Sequence, residues 1–257
     1  MSKVVAIHQP QYLPYLGFFH KLRHADVFVI LDNIQFQKNG LQNRNKIKTH
    51  HGWQWLTVPV LHRLGQAIRD VRIDQRQRWQ KKHWNALVTN YSRAPYFHQY
   101  ADGIRRLLEQ EWERLSQLDV ALIKWAMQAL RITTPLLYAS ELNVSGQRTD
   151  LLVNVCRAVG ADVYLSGPGG RRYMELDKFD AAGIRVLWQD VPSPVYQQLF
   201  PEAGFIADLS VVDVLFCCGA AARQWIESAG APAAPSVAVG HEADEEKLAG
   251  VQLMGEL

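Results

Sequence analysis

At 257 residues with 48% hydrophobic and 21% charged content, the chain has an ordinary globular composition, long enough to bury a sizeable core and too apolar to be disordered throughout. Net charge is +3, but the last 28 residues hold five acids against one Lys, and that balance of −4 leaves +7 on residues 1–229. Three cysteines exclude a disulfide framework, no apolar run approaches the ~20 residues of a membrane span, and residues 4–7 are too short for a signal-peptide core, so a cytoplasmic protein with reduced thiols and no membrane insertion is expected.

The basic balance of residues 1–229 suits anionic ligands, with a merely solvated basic surface as the competing reading. Residues 3–8 are a β-branched run that predicts a buried first strand, and 15–24 predict a helix with Leu16, Phe19 and Leu22 on one face. A second strand is predicted over 26–32, further strands over 35–37 and 53–61 with a basic loop at 43–51 between them, and one more over 70–74. The middle changes character, because 75–94, 95–112 and 115–131 show helical spacing. There the stripes Trp79, His83, Leu87, Tyr91 and Leu118, Leu122, Trp125, Met127, Leu130 read as core. Alternation then resumes: strand 136–140, helix 149–159, strand 162–166, helix 175–182, strand 184–189 and helix 211–229.

This order predicts an α/β fold with a mainly parallel, Rossmann-like sheet flanked by helices and a helical block inserted around residues 75–131. Residues 1–229 are expected to form a single α/β domain that includes this helical subdomain. Residues 230–257, rich in Ala, Pro, Gly and acids, are expected to be a flexible acidic tail.

In open α/β sheets, ligands bind beyond the carboxyl ends of the strands, and His8, Asp32 and Ser166-Gly167 all fall at predicted ends. His8 suits phosphate binding or acid/base work, although a His ending a strand is often structural. Asp32 suits a ribose hydroxyl, a metal or a base role, against which stands a turn-capping role. Lys38, Arg44, Lys46 and Lys48 make the basic loop, flanked by Asn43 and Asn45 as extra donors. Arg44 is the leading cation, since a guanidinium grips phosphate through two parallel hydrogen bonds.

The loop Ser166-Gly167-Pro168-Gly169-Gly170-Arg171-Arg172-Tyr173 combines glycines that allow close backbone approach with two arginines ahead of a helix. It has neither a Walker Lys nor G-x-G-x-x-G spacing, so a plain strand-to-helix connection competes. Gln9, Gln11, Tyr12 and Tyr15 form a polar-aromatic set suited to sugar hydroxyls or a base ring, and Asn90-Tyr91, Tyr196 and Gln198 are candidate pocket walls. Asp213 at a helix start suits the helix dipole. There is no zinc spacing, no C-x-x-C and no nucleophile elbow, and adjacent His50-His51 are expected to point their rings apart, so no metal site is expected and covalent catalysis is disfavoured.

The run from His8-Gln9-Pro10-Gln11-Tyr12 through Lys21, Asp32, Lys38 and Asn43-Arg44-Asn45 resembles the WbqC-like family of bacterial proteins. In the same order, Trp55-Leu56-Thr57-Val58-Pro59-Val60, Tyr164-Leu165-Ser166-Gly167, Tyr196-Gln197-Gln198 and Leu209-Ser210-Val211-Val212-Asp213 fit, so the likeness covers roughly residues 3–225. It implies an accessory enzyme of surface-polysaccharide (O-antigen) synthesis. The reading that follows is a transferase or ligase, of acyl, aminoacyl or nucleotidyl type, that modifies a nucleotide-linked amino sugar. Its partner would be a nucleotide or nucleotide-sugar, with or without Mg, and His8 and Arg44 would stabilise phosphate charge while Asp32 orients a ribose, a metal or the attacking amine. The alternative is a non-catalytic nucleotide-sugar-binding or scaffold protein of the same pathway. Nucleic acid is disfavoured because the helical block lacks interleaved Arg and aromatic residues, and the sequence leaves the oligomeric state open. The transferase reading expects His8, Asp32, Arg44 and Gly167 to face one pocket.

Overall fold

The protein is described by a computed structural model covering residues 2–228; the expected acidic tail lies outside the described residues. In chain order the elements are β1 (Val4–His8), α1 (Leu16–Arg23), β2 (Val27–Ile30), β3 (Arg44–Thr49), β4 (Gly52–Thr57), β5 (Val60–Leu61) and β6 (Arg72–Ile73). Three helices follow, α2 (Trp79–Tyr91), α3 (Phe97–Glu109) and α4 (Leu115–Ala129). The chain then adds β7 (Leu136–Tyr138), α5 (Arg148–Ala158), β8 (Val163–Ser166), α6 (Leu176–Ala181), β9 (Arg185–Trp188), α7 (Val211–Cys218) and α8 (Ala222–Ser228).

Five strands form one sheet in the order β7-β2-β1-β8-β9, and every pairing in it is parallel. Both faces are covered, which is why these strands read as continuous apolar runs rather than as an alternation. Val5, Ile7, Val27, Val29 and Tyr164 pack on the side of α5 and α6. Ala6, Phe28, Ile30 and Leu165 pack on the side of α1, α7 and the helical block. The protein is thus an α/β fold of Rossmann-like architecture. No helix among the described residues is long and apolar enough to cross a membrane.

Three sequence expectations are corrected. The basic loop at 43–51 is mostly strand: β3 pairs antiparallel with β4, Arg44 opposite Thr57, Lys46 opposite Trp55 and Lys48 opposite Trp53. Asn45 and Ile47 alternate inward along it, and a polar inward residue disguises a period-two pattern. The strand expected over 35–37 is only an isolated bridge between Gln35 and Ala67. The helix expected over 211–229 breaks at Gly219, whose φ of +58° ends α7 and whose added Cβ would lie 2.6 Å from the Tyr96 ring.

A buried polar network fastens the hairpin to the helices. Tyr91 on α2 and Tyr196 each donate their hydroxyl to the Asp213 carboxylate, both at 2.7 Å, and Gln198 Nε2 donates to it at 3.1 Å. The Lys48 backbone N–H donates to the Tyr91 hydroxyl at 2.8 Å, and Lys48 Nζ donates to Gln198 Oε1 and to the Gly204 carbonyl. Every partner is supplied from within the protein, so the network is cohesive rather than open. Tyr91→Phe, which orphans the Lys48 N–H and one Asp213 oxygen, should lower unfolding stability by about 1–3 kcal/mol with an unchanged urea m-value.

Candidate functional site

β1 lies between β2 and β8, and the chain builds outward from it in both directions, toward β2 and β7 on one side and toward β8 and β9 on the other. The crevice between β1 and β8 is therefore the topological switch point, where open α/β sheets bind ligands. The two strands pair with Val4 opposite Val163 and Ala6 opposite Leu165, a register that, continued by two residues, sets His8 level with Gly167.

His8 is half-buried, its ring edge-on to Phe18 at 5.2 Å. Burial, the nearby Lys21 charge and a counteracting hydrogen bond to Gln9 together bring its pKa down to about 3, so the ring is neutral at physiological pH. Nδ1 lies 2.9 Å from the Gln9 carbonyl oxygen, which only accepts, so Nδ1 carries the proton and Nε2 keeps its lone pair.

The site residue that sequence reasoning missed is Lys21. It sits on α1 with only 3% of its surface exposed, and Nζ donates to the Ile7 carbonyl at 3.3 Å. No carboxylate pairs with it among the described residues, and burial brings its pKa down to about 7. Within α1 six of the eight residues, Leu16, Phe18, Phe19, His20, Lys21 and Leu22, are buried, and the only trace of this in the sequence is that the helix carries a Lys and no acid. Next to Lys21, His20 Nδ1 accepts from Gln189 Nε2 at 3.1 Å, and the same amide donates to the Gly17 carbonyl at 2.7 Å. Gln189 follows β9, so the far side of the sheet edge also clamps α1.

The 166–173 loop divides into parts with different duties. Ser166 is buried, its hydroxyl donating to the Gly167 carbonyl at 3.1 Å. A Cβ added to Gly170 would strike Ser166 Oγ, lie 2.8 Å from Met174 Sδ and 3.1 Å from Trp188, so this glycine is required by packing. A Cβ added to Gly167 would have a single heavy atom within 4 Å, Lys21 Nζ at 3.9 Å, so this glycine borders open space. Gly169 lies in the 3-10 turn Pro168–Arg172, Arg171 ion-pairs with Asp190 at 3.3 Å over the Trp188 ring, and Tyr173 is exposed.

The remaining candidates disperse. Asp32 reaches the same sheet edge, but its carboxylate accepts from the Ser140 N–H at 3.0 Å and the Ser140 hydroxyl at 2.7 Å, which ties the end of β2 to the segment after β7. Arg44 is carried away on β3, its guanidinium over the Trp55 ring with Cζ 4.1 Å from the centroid. Asn43 and Asn45 are buried and donate to the Val58 carbonyl at 2.9 Å and the Leu13 carbonyl at 2.7 Å, which anchors the hairpin instead of presenting donors to solvent. Lys38 is exposed in the turn at 37–40. Gln9 Oε1 accepts from Gln42 Nε2 at 2.6 Å beside His8, while Gln11 is buried with its Oε1 unpartnered. Tyr12 is fully buried, its hydroxyl 2.8 Å from His83 Nδ1, and Tyr196 and Gln198 belong to the Asp213 network. His50 and His51 do not point apart, since their ring centroids are 3.4 Å from each other. Of the four residues expected to share one pocket, His8 and Gly167 converge, Asp32 is nearby but engaged, and Arg44 lies on a different sheet.

The WbqC-like protein family matches residues 9–225. The chain belongs to that family. The matched span begins one residue after His8 and includes Lys21 and the whole 166–173 loop. A similar protein, the uncharacterized protein Rv1507c of Mycobacterium tuberculosis (strain ATCC 25618 / H37Rv), is 38% identical over 228 residues, which cover 87% of this chain and 97% of that one. No solved structure matches.

The two glycines of this family member give a direct contrast. Gly170→Ala should cost about 1–3 kcal/mol by overpacking, whereas Gly167→Ala, at an ordinary φ of −72° with room for its methyl, should unfold within about 0.5 kcal/mol of the parent in urea. Lys21 makes a pH-dependent statement. Its folded pKa of about 7 lies below the ordinary 10.5, so between those values the unfolded chain holds the extra proton and stability rises with pH. Lys21→Met should therefore be more stable than the parent at neutral pH by a few kcal/mol, with the gap closing toward pH ~10.5, as followed by urea unfolding across that range.

Proposed function

We propose that this WbqC-like protein is an enzyme of surface-polysaccharide precursor synthesis, a transferase or ligase that attaches an acyl or aminoacyl group to a nucleotide-linked amino sugar. The observation that carries the reading is the convergence, at one switch point, of a neutral imidazole with an available Nε2 and a glycine loop bordering open space. Amide formation on an amino sugar needs a base for the proton lost by the attacking nitrogen, and we assign that role to His8 Nε2, whose lone pair the Nδ1 hydrogen bond leaves in place. A ring held at about 3 is a weak base on its own, but an anionic phosphate bound beside it favours the imidazolium and moves its pKa back toward neutrality. Activation by the substrate's own charge would confine proton transfer to the loaded site. Asp32 serves here as a positioning residue for the segment after β7 rather than as a group that touches substrate.

A second reading, a non-catalytic scaffold, draws support from the β3–β4 hairpin, where Arg44 and Lys46 lie over Trp55 and Trp53 and Trp53 is 46% exposed. The two readings separate on His8. With UDP- and dTDP-linked amino sugars and activated acyl donors as probes, His8→Ala should lower turnover by about 100- to 10,000-fold while leaving the melting temperature near that of the parent. If no nucleotide-sugar raises the parent's melting temperature or is turned over, the enzyme reading falls.

A further inference from the structure

Among the described residues two lysines are buried, and the fold treats them differently. Lys48, with 0% exposure, donates to Gln198 and the Gly204 carbonyl and lies in the field of Asp213. Lys21, with 3% exposure, has the Ile7 carbonyl at 3.3 Å and no acid. A buried ammonium is stabilised only by a charge partner and by filled hydrogen bonds, and among the described residues Lys21 is a donor with no charge partner.

The space beside it is defined by Gly167. The Cβ that this residue lacks would sit in a volume where Lys21 Nζ, at 3.9 Å, is its one neighbour within 4 Å. The titratable group in the field of the amine is His8 from β1; of the nearby histidines, His20 on α1 is held by Gln189, and His24, which caps α1, donates Nε2 to the Ile226 carbonyl at 3.0 Å. No acid is among them. This space has the Lys21 amine on one side and no acid paired with that amine among the described residues.

We propose that Lys21, at the space beside Gly167, holds one phosphate of the ligand, and that Lys21 takes up a proton as the phosphate enters. This rests on the reading of the switch point as a nucleotide-sugar site and adds to it the residue that grips the phosphate. A compact anion with acceptors on every side fits a donor-only lysine, and its charge supplies the missing partner. Because burial brings the Lys21 pKa down to about 7, most molecules at pH ~8 hold it as a neutral amine, and binding of UDP, whose terminal phosphate is already deprotonated there, must draw a proton from the buffer.

The test is calorimetric titration at pH ~8 with inorganic pyrophosphate and with UDP, each run in two buffers of different ionisation enthalpy. The parent should bind both and, with UDP, take up close to one proton per site, whereas pyrophosphate, which is still protonated at this pH, should show less uptake because it brings its own proton. Lys21→Met should bind about 10- to 100-fold more weakly with no proton uptake. Gly167→Val, which fills the space beside the amine and keeps Lys21 itself, should weaken binding while circular dichroism and melting temperature stay near the parent's. Failure of the parent to bind either probe, or binding by Lys21→Met with unchanged affinity and uptake, overturns the proposal. Malonate bound as tightly as pyrophosphate overturns the choice of phosphate over carboxylate. Turnover of nucleotide-sugars with an unchanged KM in Lys21→Met would sink the phosphate role of Lys21 and leave the enzyme reading standing. Pyrophosphate binding through Lys21 with no nucleotide-sugar bound or turned over would do the reverse.

Discussion

The parallel pairing of β1 with β8 is the interaction on which the rest of this structure depends. It joins residues about 160 apart in sequence, Val4 to Val163 and Ala6 to Leu165, and makes β1 an interior strand instead of an edge. Lys3 and Asp162 fix its start: the Lys3 N–H donates to Asp162 Oδ2 at 2.7 Å, the Val163 N–H donates to the Lys3 carbonyl at 3.1 Å, and Lys3 Nζ donates to the Val159 carbonyl at 2.6 Å. A slip of one residue would send Leu165 to the face of α5 and Tyr164 to the face of α1, so the two covered faces hold the register firmly. That register in turn decides which residues leave the sheet side by side at its carboxyl edge.

Given the register, the chemistry of the edge follows from what each strand end does with its polar groups. The end of β2 is closed, because Ser140 satisfies Asp32 and the Leu31 N–H donates to the His8 carbonyl at 2.8 Å. The end of β9 is closed as well, since Gln189 is bonded to Gly17 and His20. Between them, β1 and β8 leave an imidazole with one nitrogen available, an amine without an acid and a glycine facing open space. Satisfied groups around an unsatisfied centre are the pattern expected of a preorganised binding site, where the surrounding hydrogen bonds hold the reactive groups in place.

The two-stranded β3–β4 unit has a separate character. Its inward residues, Asn43, Asn45 and Ile47, are buried against the main body, and Lys48 is sealed by the 198–206 segment, while Arg44 and Lys46 lie against the indoles of Trp55 and Trp53. Cations laid on aromatic faces are partly compensated by the ring electrons and need no acid nearby. The +7 balance of residues 1–229 is therefore spread over more than one surface, and net charge alone did not mark the site.

The sequence by itself determined the strands and helices of the main sheet in their order, the parallel α/β class and the arrival of His8, Asp32 and Ser166-Gly167 at strand ends, because strand and helix periodicities and β-branched runs are local properties. It also carried the family, through motifs spread over most of the chain. Only the tertiary structure gave Asp32 and His8 different surroundings, since the Ser140 that engages Asp32 lies 108 residues away. It alone moved Arg44 off the sheet edge, because the alternation of β3 hides behind inward-facing asparagines. And it alone revealed Lys21, whose significance is the absence of an acid in three dimensions: a helix sequence shows which residue is basic, but whether its charge is answered depends on every element packed around it.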